Sequence, residues 1–289
     1  MHMLDAGSIA VAGAGTMGAG IAYVFAMAGF RTHLVEPDGG RARSAVEAMR
    51  RAGEDAVRRG KTDAATAEER LASVLFVETV SDLPQELDLI IESVPERFDV
   101  KRTVLGEIDE RAPRLVATNT SSLSIDALSA SVSDPARFLG MHFFNPVWSL
   151  MLVEIVRGKA TSDTAIEQAK AFSEAIGKKT AVVADHPGFA TSRLDLVLAM
   201  EAIRMVEAGV STPEDIDRAV TTAYRHPMGP LRLSDVVGLD VRLDIARHLE
   251  TALGPHFAPP KLLQDMVARG HLGRKAGKGF YDWPDASAL

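Results

Sequence analysis

The chain has no cysteine among its 289 residues, which removes disulfides, thiolate nucleophiles and thiolate-held metals together. It also lacks H-E-x-x-H and G-x-S-x-G, so zinc-protease and serine-hydrolase chemistry have no foothold and no metal site is expected. The tail Leu272-Gly273-Arg274-Lys275-Ala276-Gly277-Lys278-Gly279 is rich in glycine and lysine but does not follow the G-x-x-x-x-G-K-[ST] order of a phosphate loop. There is no excess of positive charge: 32 Lys and Arg against 39 Asp and Glu leave a formal net charge of −7. That balance argues against wholesale binding to nucleic acid or to an anionic membrane. Met1-His2-Met3-Leu4-Asp5 has neither the basic nor the apolar region of a secretory signal, so a cytoplasmic location is the expectation. Without secretion, the sequon Asn119-Thr120-Ser121 says nothing about sugar.

What is present is an ordinary globular composition, 46% hydrophobic and 25% charged, with room for about two domains. The stretch Ser8 to Glu36 organises the rest. Ile9 to Val11 reads as a buried strand, Gly13, Gly15 and Gly18 stand in G-x-G-x-x-G spacing, and Thr16 to Ala28 has the small and apolar residues of a packed helix. In such a unit the first glycine makes the tight turn, the second lets the backbone approach a pyrophosphate, and the third lets helix and strand pack closely. The backbone N–H groups around Thr16 and Met17, at the helix N-terminus, would face the phosphates. Arg31 to Val35 is a second strand, and Glu36 follows about 18 residues after the last glycine, near the spacing of the acid that hydrogen-bonds an adenosine ribose 2′-hydroxyl. A carboxylate there repels a 2′-phosphate, so NAD is expected over NADP. The competing reading is a membrane span, since residues 9 to 30 give about 22 uncharged positions. The strand-like start and the downstream acid speak for the dinucleotide.

Strand and helix signals then alternate to residue 186, which predicts a Rossmann-type α/β fold with a doubly wound, mostly parallel sheet. His186-Pro187-Gly188 breaks the pattern, and only helix signals follow. The boundary is therefore placed between a dinucleotide-binding domain, 1–186, and an all-helical domain, 187–289. A single helix is expected over Pro230 to Leu253. The helix from Phe189 to Ala208 is apolar nearly all round, which a small domain encloses more easily with a second subunit against it. A homodimer is the expectation.

Candidate site residues sit where predicted strands end. Asp88 to Val94 is an apolar run with Glu96 and Lys101 just beyond it, and Leu115 to Thr118 runs into Asn119, Thr120, Ser121 and Ser122. Serines there cap the next helix or face a ligand; two neighbours leave one for each role. The basic run from Arg41 to Lys61 reads either as a solvated helix face with i,i+4 charge pairs or as a contributor to a phosphate-bearing substrate. His142 and Glu154 lie twelve residues apart, each in an apolar surround. A lone histidine there is more often a core residue, but a carboxylate on one ring nitrogen fixes the tautomer and leaves the other as a base.

Several segments in order resemble the 3-hydroxyacyl-CoA dehydrogenase family: Gly13 to Gly18, Glu92-Ser93-Val94-Pro95-Glu96, Asn119-Thr120-Ser121-Ser122-Leu123, Met141-His142-Phe143-Phe144-Asn145-Pro146, Leu152-Val153-Glu154, Pro187-Gly188-Phe189, His226-Pro227-Met228-Gly229-Pro230-Leu231 and Gly279-Phe280-Tyr281. The resemblance covers nearly the whole chain and is strongest to the short bacterial 3-hydroxybutyryl-CoA dehydrogenases. It implies an NAD-dependent oxidoreductase of fatty acid metabolism, acting on an acyl-CoA, with His142 as base, Glu154 as its partner and Ser121 bonded to the reacting oxygen. It places Glu96, Lys101 and Asn145 on the nicotinamide side, with Asn119 among the cofactor contacts, and Glu36 on the adenosine ribose. One position departs: the family usually has asparagine where this chain has Ser192, a shorter donor that would reach the substrate at close range or through water. Two rivals share these residues, a dehydrogenase of a free 3-hydroxy acid of the gulonate type and a non-catalytic NAD-binding protein.

Overall fold

The computed structural model describes residues 7–284. The expectation of a signal-free start falls on Met1 to Asp5, outside the described residues. Two compact units divide the chain, one ending at His186 and one beginning at Pro187.

The first unit alternates strand and helix as the sequence pattern demands. It runs β1 (Ser8–Ala12), α1 (Thr16–Met27), β2 (Arg31–Val35), α2 (Gly39–Arg58), α3 (Ala64–Ala72), β3 (Leu75–Val77), β4 (Leu89–Glu92), α4 (Phe98–Asp109), β5 (Val116–Thr118) and α5 (Ile125–Ser129). It closes with β6 (Phe138–Phe143), β7 (Leu152–Arg157), α6 (Asp163–Ala175) and β8 (Lys179–Ala184). These eight strands form one sheet in the order β3-β2-β1-β4-β5-β6-β7-β8. Every pairing is parallel except β6 with β7. The chain therefore winds outward from β1 to one edge and then from β4 to the other, and the carboxyl ends of β1 and β4 lie side by side at the reversal. Ligands of open α/β sheets collect there.

The central strands are buried on both faces, which is why β4 reads Leu-Ile-Ile-Glu without alternation. α1 is buried from Gly18 to Ala26 with no charge in its length, and it stops where Gly29 takes φ +95°. Phe25 is fully buried and packs against Phe30 and Phe172, with ring centroids 5.3 and 6.4 Å away, which ties α1 to α6. Burying one such ring contributes about 1.5–3 kcal/mol. Among the described residues no helix is long and apolar enough to cross a membrane.

The second unit is helical: α7 (Thr191–Glu207), α8 (Pro213–Ala223), α9 (Pro230–Val237), α10 (Leu239–Leu253) and α11 (Lys261–Ala268). The single helix expected over Pro230 to Leu253 is two helices. Gly238 between them adopts φ +107°, which an L side chain rarely accepts, and the chain turns there. α7 buries one apolar face and carries apolar residues on its outer side as well. Leu196, Ala199, Met200, Ala202 and Ile203 are buried, whereas Leu194 and Val197 are 70% and 45% exposed. Two buried aspartates secure the tail. Asp235 accepts from the backbone N–H of Phe280 and Tyr281 and from the Trp283 ring, and Asp217 accepts from the Tyr281 hydroxyl at 2.8 Å.

Candidate active site

The first glycine turn is built by contacts that tolerate no side chain. A Cβ on Gly18 would stand 1.8 Å from the Gly13 carbonyl oxygen, so α1 leaves β1 at that distance only because residue 18 is glycine. Gly13 has φ +105° and its N–H donates to Val35 O at 3.0 Å. Gly15 differs: a Cβ there would meet nothing within 4 Å. Its backbone instead borders a cleft of about 730 Å³ together with Gly13, Thr16, Met17 and Glu36. Gly15 also precedes α1 without offering a side-chain cap, and no acid occupies the first turn. The helix N-terminus thus presents its N–H groups and the positive end of its dipole to anything anionic in the cleft.

Glu36 closes the far side of that cleft. Its Oε1 accepts from Asp38 N at 3.0 Å and from Arg41 Nε at 2.9 Å, while Oε2 accepts from Ala14 N at 3.3 Å. Burial would raise its pKa, but the Arg41 guanidinium and the two backbone amides outweigh burial and hold the carboxyl below its usual range. It stays ionised at neutral pH. The cleft also draws on residues without a motif: Thr79 to Ser81 after β3, Ser93, and Val100 and Val104 of α4. Only their position beyond strand ends connects them to a ligand.

The polar residues after β4 and β5 are bonded mainly to one another. Lys101 is fully buried, and its ammonium donates to both oxygens of the equally buried Glu92 at 2.9 and 3.1 Å and to Val94 O at 3.3 Å; it also pairs with Glu96 at 3.2 Å. A lysine so enclosed between two carboxylates ties the strand end, and of the residues expected on the nicotinamide side it is the one whose side chain is fully buried. Glu96 Oε1 accepts from the Thr120 hydroxyl at 2.6 Å, from Ser121 N at 2.9 Å, and from the Ser121 and Ser122 hydroxyls at 3.3 and 3.1 Å. Burial pushes its pKa up, and the Thr120 hydroxyl, Lys101 and the Ser121 amide bring it below the normal value. Glu96 and Ser121, expected on different ligands, therefore sit against each other. Asn119 Nδ2 donates to Ser93 Oγ at 3.2 Å and its Oδ1 accepts from Phe143 N at 3.0 Å, so it fastens the ends of β4, β5 and β6 together.

His142 lies on β6 and Glu154 on β7, and antiparallel pairing makes them register partners. A separation of twelve residues in sequence becomes direct opposition across the ladder, where side chains share one face. His142 Nδ1 stands 3.0 Å from Glu154 Oε2, with Glu154 fully buried and the Phe144 ring 4.3 Å from the imidazole. A carboxylate only accepts, so Nδ1 carries the proton and donates it to Glu154. That leaves Nε2 as the basic nitrogen. Asn145 is exposed, at the cis peptide Asn145–Pro146 just past β6.

The comparisons with known proteins place this sheet and the helical unit after it in one family. The NAD binding domain of 3-hydroxyacyl-CoA dehydrogenase matches residues 8–186, and the C-terminal domain of the same enzyme matches residues 188–283. The chain belongs to the 3-hydroxyacyl-CoA dehydrogenase family. The 3-hydroxybutyryl-CoA dehydrogenase of Mycobacterium tuberculosis is 40% identical over 280 residues, covering 95% of this chain and 98% of that one. The 3-hydroxyadipyl-CoA dehydrogenase of Escherichia coli is 36% identical over 97% of this chain and 60% of its own length. The crystal structure of (S)-3-hydroxybutyryl-CoA dehydrogenase from Ralstonia eutropha superposes with a TM-score of 0.91 at 35% identity, over 96% of this chain and 99% of that one.

This 3-hydroxyacyl-CoA dehydrogenase is an NAD-dependent oxidoreductase, and the residues of its first unit fit the cofactor. The open face at Gly15, the uncapped start of α1 and the ionised Glu36 offer room, N–H donors and a ribose acceptor along one cleft. The basic run of α2 is largely spent on itself: Arg50 pairs with Glu47 and Glu54, and Arg58 and Arg59 pair with Asp55. Arg59 and Lys61 nevertheless line a second cavity of about 310 Å³ with Tyr23, Trp148 and Ser149. In the second unit Ser192 occupies the first turn of α7, half-buried.

Proposed function

We propose that the chain interconverts (S)-3-hydroxyacyl-CoA and 3-oxoacyl-CoA, with a short acyl chain, 3-hydroxybutyryl-CoA, as its substrate, and that His142 is the general base paired to Glu154. The observation that carries the reading is the 3.0 Å bond between His142 and a fully buried carboxylate on the neighbouring strand. In oxidation His142 Nε2 takes the proton from the oxygen of the C3 hydroxyl while hydride leaves C3, and the C3–O bond becomes the carbonyl. The cofactor, when bound, supplies the acceptor for that hydride at its nicotinamide. Glu154 then faces an imidazolium instead of an imidazole and stabilises it at short range, in surroundings that water does not screen. In reduction the same proton returns to the oxyanion. Ser121 and Ser192 are assigned to the reacting oxygen, Glu96, Lys101 and Asn145 to the nicotinamide side with Asn119 among the cofactor contacts, and Gly13 to Gly18 with Glu36 to the pyrophosphate and adenosine ribose.

The names of the relatives support the short acyl-CoA, as does the second cavity, whose Arg59 and Lys61 would face phosphates. Lys178 nearby is buried and donates to Val147 O and Leu150 O. Burial and the Lys61 charge press its pKa down. A homodimer is part of the proposal, formed on the second unit where Leu194, Val197, Val236, Val237 and Val241 are all exposed.

The test is substrate competition. NADH oxidation is followed with acetoacetyl-CoA, with longer 3-oxoacyl-CoAs and with free acetoacetate. Turnover highest on acetoacetyl-CoA and negligible on acetoacetate is the expected result. Comparable turnover on the free acid would place the chain with the 3-hydroxy acid dehydrogenases, and NADH binding without turnover on any of them would leave it a non-catalytic binder.

A further inference from the structure

We propose that Arg41 is the residue that decides how this chain treats NADP: it holds a latent site for the 2′-phosphate of the adenosine ribose, masked by its ion pair with Glu36. The proposal rests on the placement of that ribose at Glu36 given above. Arg41 leaves the first turn of α2, two residues past its start, and both Nε and Nη2 stand 2.9 Å from the same oxygen, Glu36 Oε1. Glu36 is 5% exposed while Arg41 is 63% exposed, so the guanidinium covers the carboxylate from the solvent side. Arg41 also borders the dinucleotide cleft. A ribose whose hydroxyls bond Glu36 would carry any 2′-substituent outward, into the space that the guanidinium occupies.

Charge decides which dinucleotide wins. Around that point stand Glu36, Asp38 and Glu78 against Arg41 and Arg43, and Arg41 is itself neutralised by Glu36. A 2′-phosphate arriving there meets a net negative wall, and NAD, with two hydroxyls, meets an acceptor. Remove the carboxylate and the balance inverts: Arg41 becomes an exposed guanidinium without its partner at the mouth of the cleft, in a fork geometry suited to phosphate. The preference for NAD is on this account a contest between one carboxylate and one guanidinium five residues apart, and it is reversible by one substitution.

The experiment titrates NADH and NADPH binding by nicotinamide fluorescence on the wild-type chain, Glu36→Gln, Arg41→Met and the double variant, with melting curves to verify folding. Glu36→Gln is expected to weaken NADH and to tighten NADPH, each by about tenfold, the size of one charge-assisted hydrogen bond. In the double variant the gain for NADPH is lost, and raising salt erodes it in Glu36→Gln. An unchanged NADPH affinity in Glu36→Gln, or a gain that survives Arg41→Met, overturns the proposal. If NADH affinity also fails to fall in Glu36→Gln, the placement of the ribose is wrong, a different failure from the loss of NADH binding with no gain for NADPH. Should Glu36→Gln not fold, Glu36→Ser asks the same question with a smaller residue.

Discussion

Gly15 and Gly18 belong to one motif, yet alanine should act on them in opposite ways. At Gly18 the added methyl would lie 1.8 Å from the Gly13 carbonyl oxygen and 2.9 Å from its carbon. Both are backbone atoms with no rotamer to escape into, so α1 must move off β1. Overpacking of this kind costs about 2–3 kcal/mol, and the roughly 1 kcal/mol that Ala gains over Gly in a helix does not offset it. Gly18→Ala is therefore expected to melt earlier and to bind NADH poorly. At Gly15 the methyl touches nothing, and the backbone, at φ −64° and ψ −177°, is one that any residue adopts. Its fold should be unharmed, and the lost flexibility of the unfolded chain even favours it by about 0.4–1 kcal/mol. The methyl nevertheless stands in the cleft and would lift a pyrophosphate by more than about 1 Å from the N–H groups at the start of α1. Losing two charge-assisted hydrogen bonds weakens NADH by about a hundredfold or more. Urea melts and NADH titrations on both variants decide the matter. A Gly15→Ala variant that binds NADH within threefold of wild type would refute the assignment of this turn to the pyrophosphate, whatever its stability.

Other consequences follow from single residues. Glu154→Gln keeps the shape behind His142 but removes the charge that faces the imidazolium, so turnover should fall by roughly 10²-fold or more with NADH affinity unchanged; unaltered turnover would detach Glu154 from the chemistry. His33 on β2 is buried, and neither ring nitrogen has a hydrogen-bond partner among the described residues. Burial, aided by Arg31, lowers its pKa, so the folded chain resists protonation while the unfolded chain takes up a proton near pH 6.5. Stability is therefore unaffected by this group above that pH and declines as pH falls toward the depressed folded value; His33→Leu should raise the melting temperature by removing two buried ring nitrogens without partners, a cost of about 1–3 kcal/mol, and flatten the acid side of the stability profile. Leu194→Asp, at the most exposed apolar side chain of α7, is expected to turn the proposed dimer into a monomer in sedimentation analysis. A dimer of unchanged strength would move the interface elsewhere.

Much of this was legible in the sequence because local chemistry and global fold agree in the first unit. Uncharged runs at Ile9 to Val11 and Leu89 to Ile91 read as strands buried on both faces, and the glycine spacing after the first points to a turn and its ligand. The pairing of His142 with Glu154 was suggested by type and distance in sequence, and β6 and β7 realise it because twelve residues suffice for an antiparallel return. What the sequence hid were choices made by tertiary packing. Lys101 reads as a residue at a helix start just beyond a strand, and its burial between Glu92 and Glu96 has no signal in the sequence. The helical signal from Pro230 to Leu253 runs through Gly238 without a stop, and only its positive φ shows the break. Arg41 was one basic residue among seven in its run; nothing in its spacing set it apart, and its ion pair with Glu36 exists because β2 ends where α2 begins.

The proposed reaction depends most on the imidazole of His142 moving the substrate proton. The direct measurement is His142→Gln, assayed for acetoacetyl-CoA reduction across pH alongside NADH titration. Turnover lower by roughly 10²–10⁴-fold, its pH dependence flattened and NADH bound as in the wild type, is the expected result. Near-normal turnover with the wild-type pH profile would show that another group carries the proton.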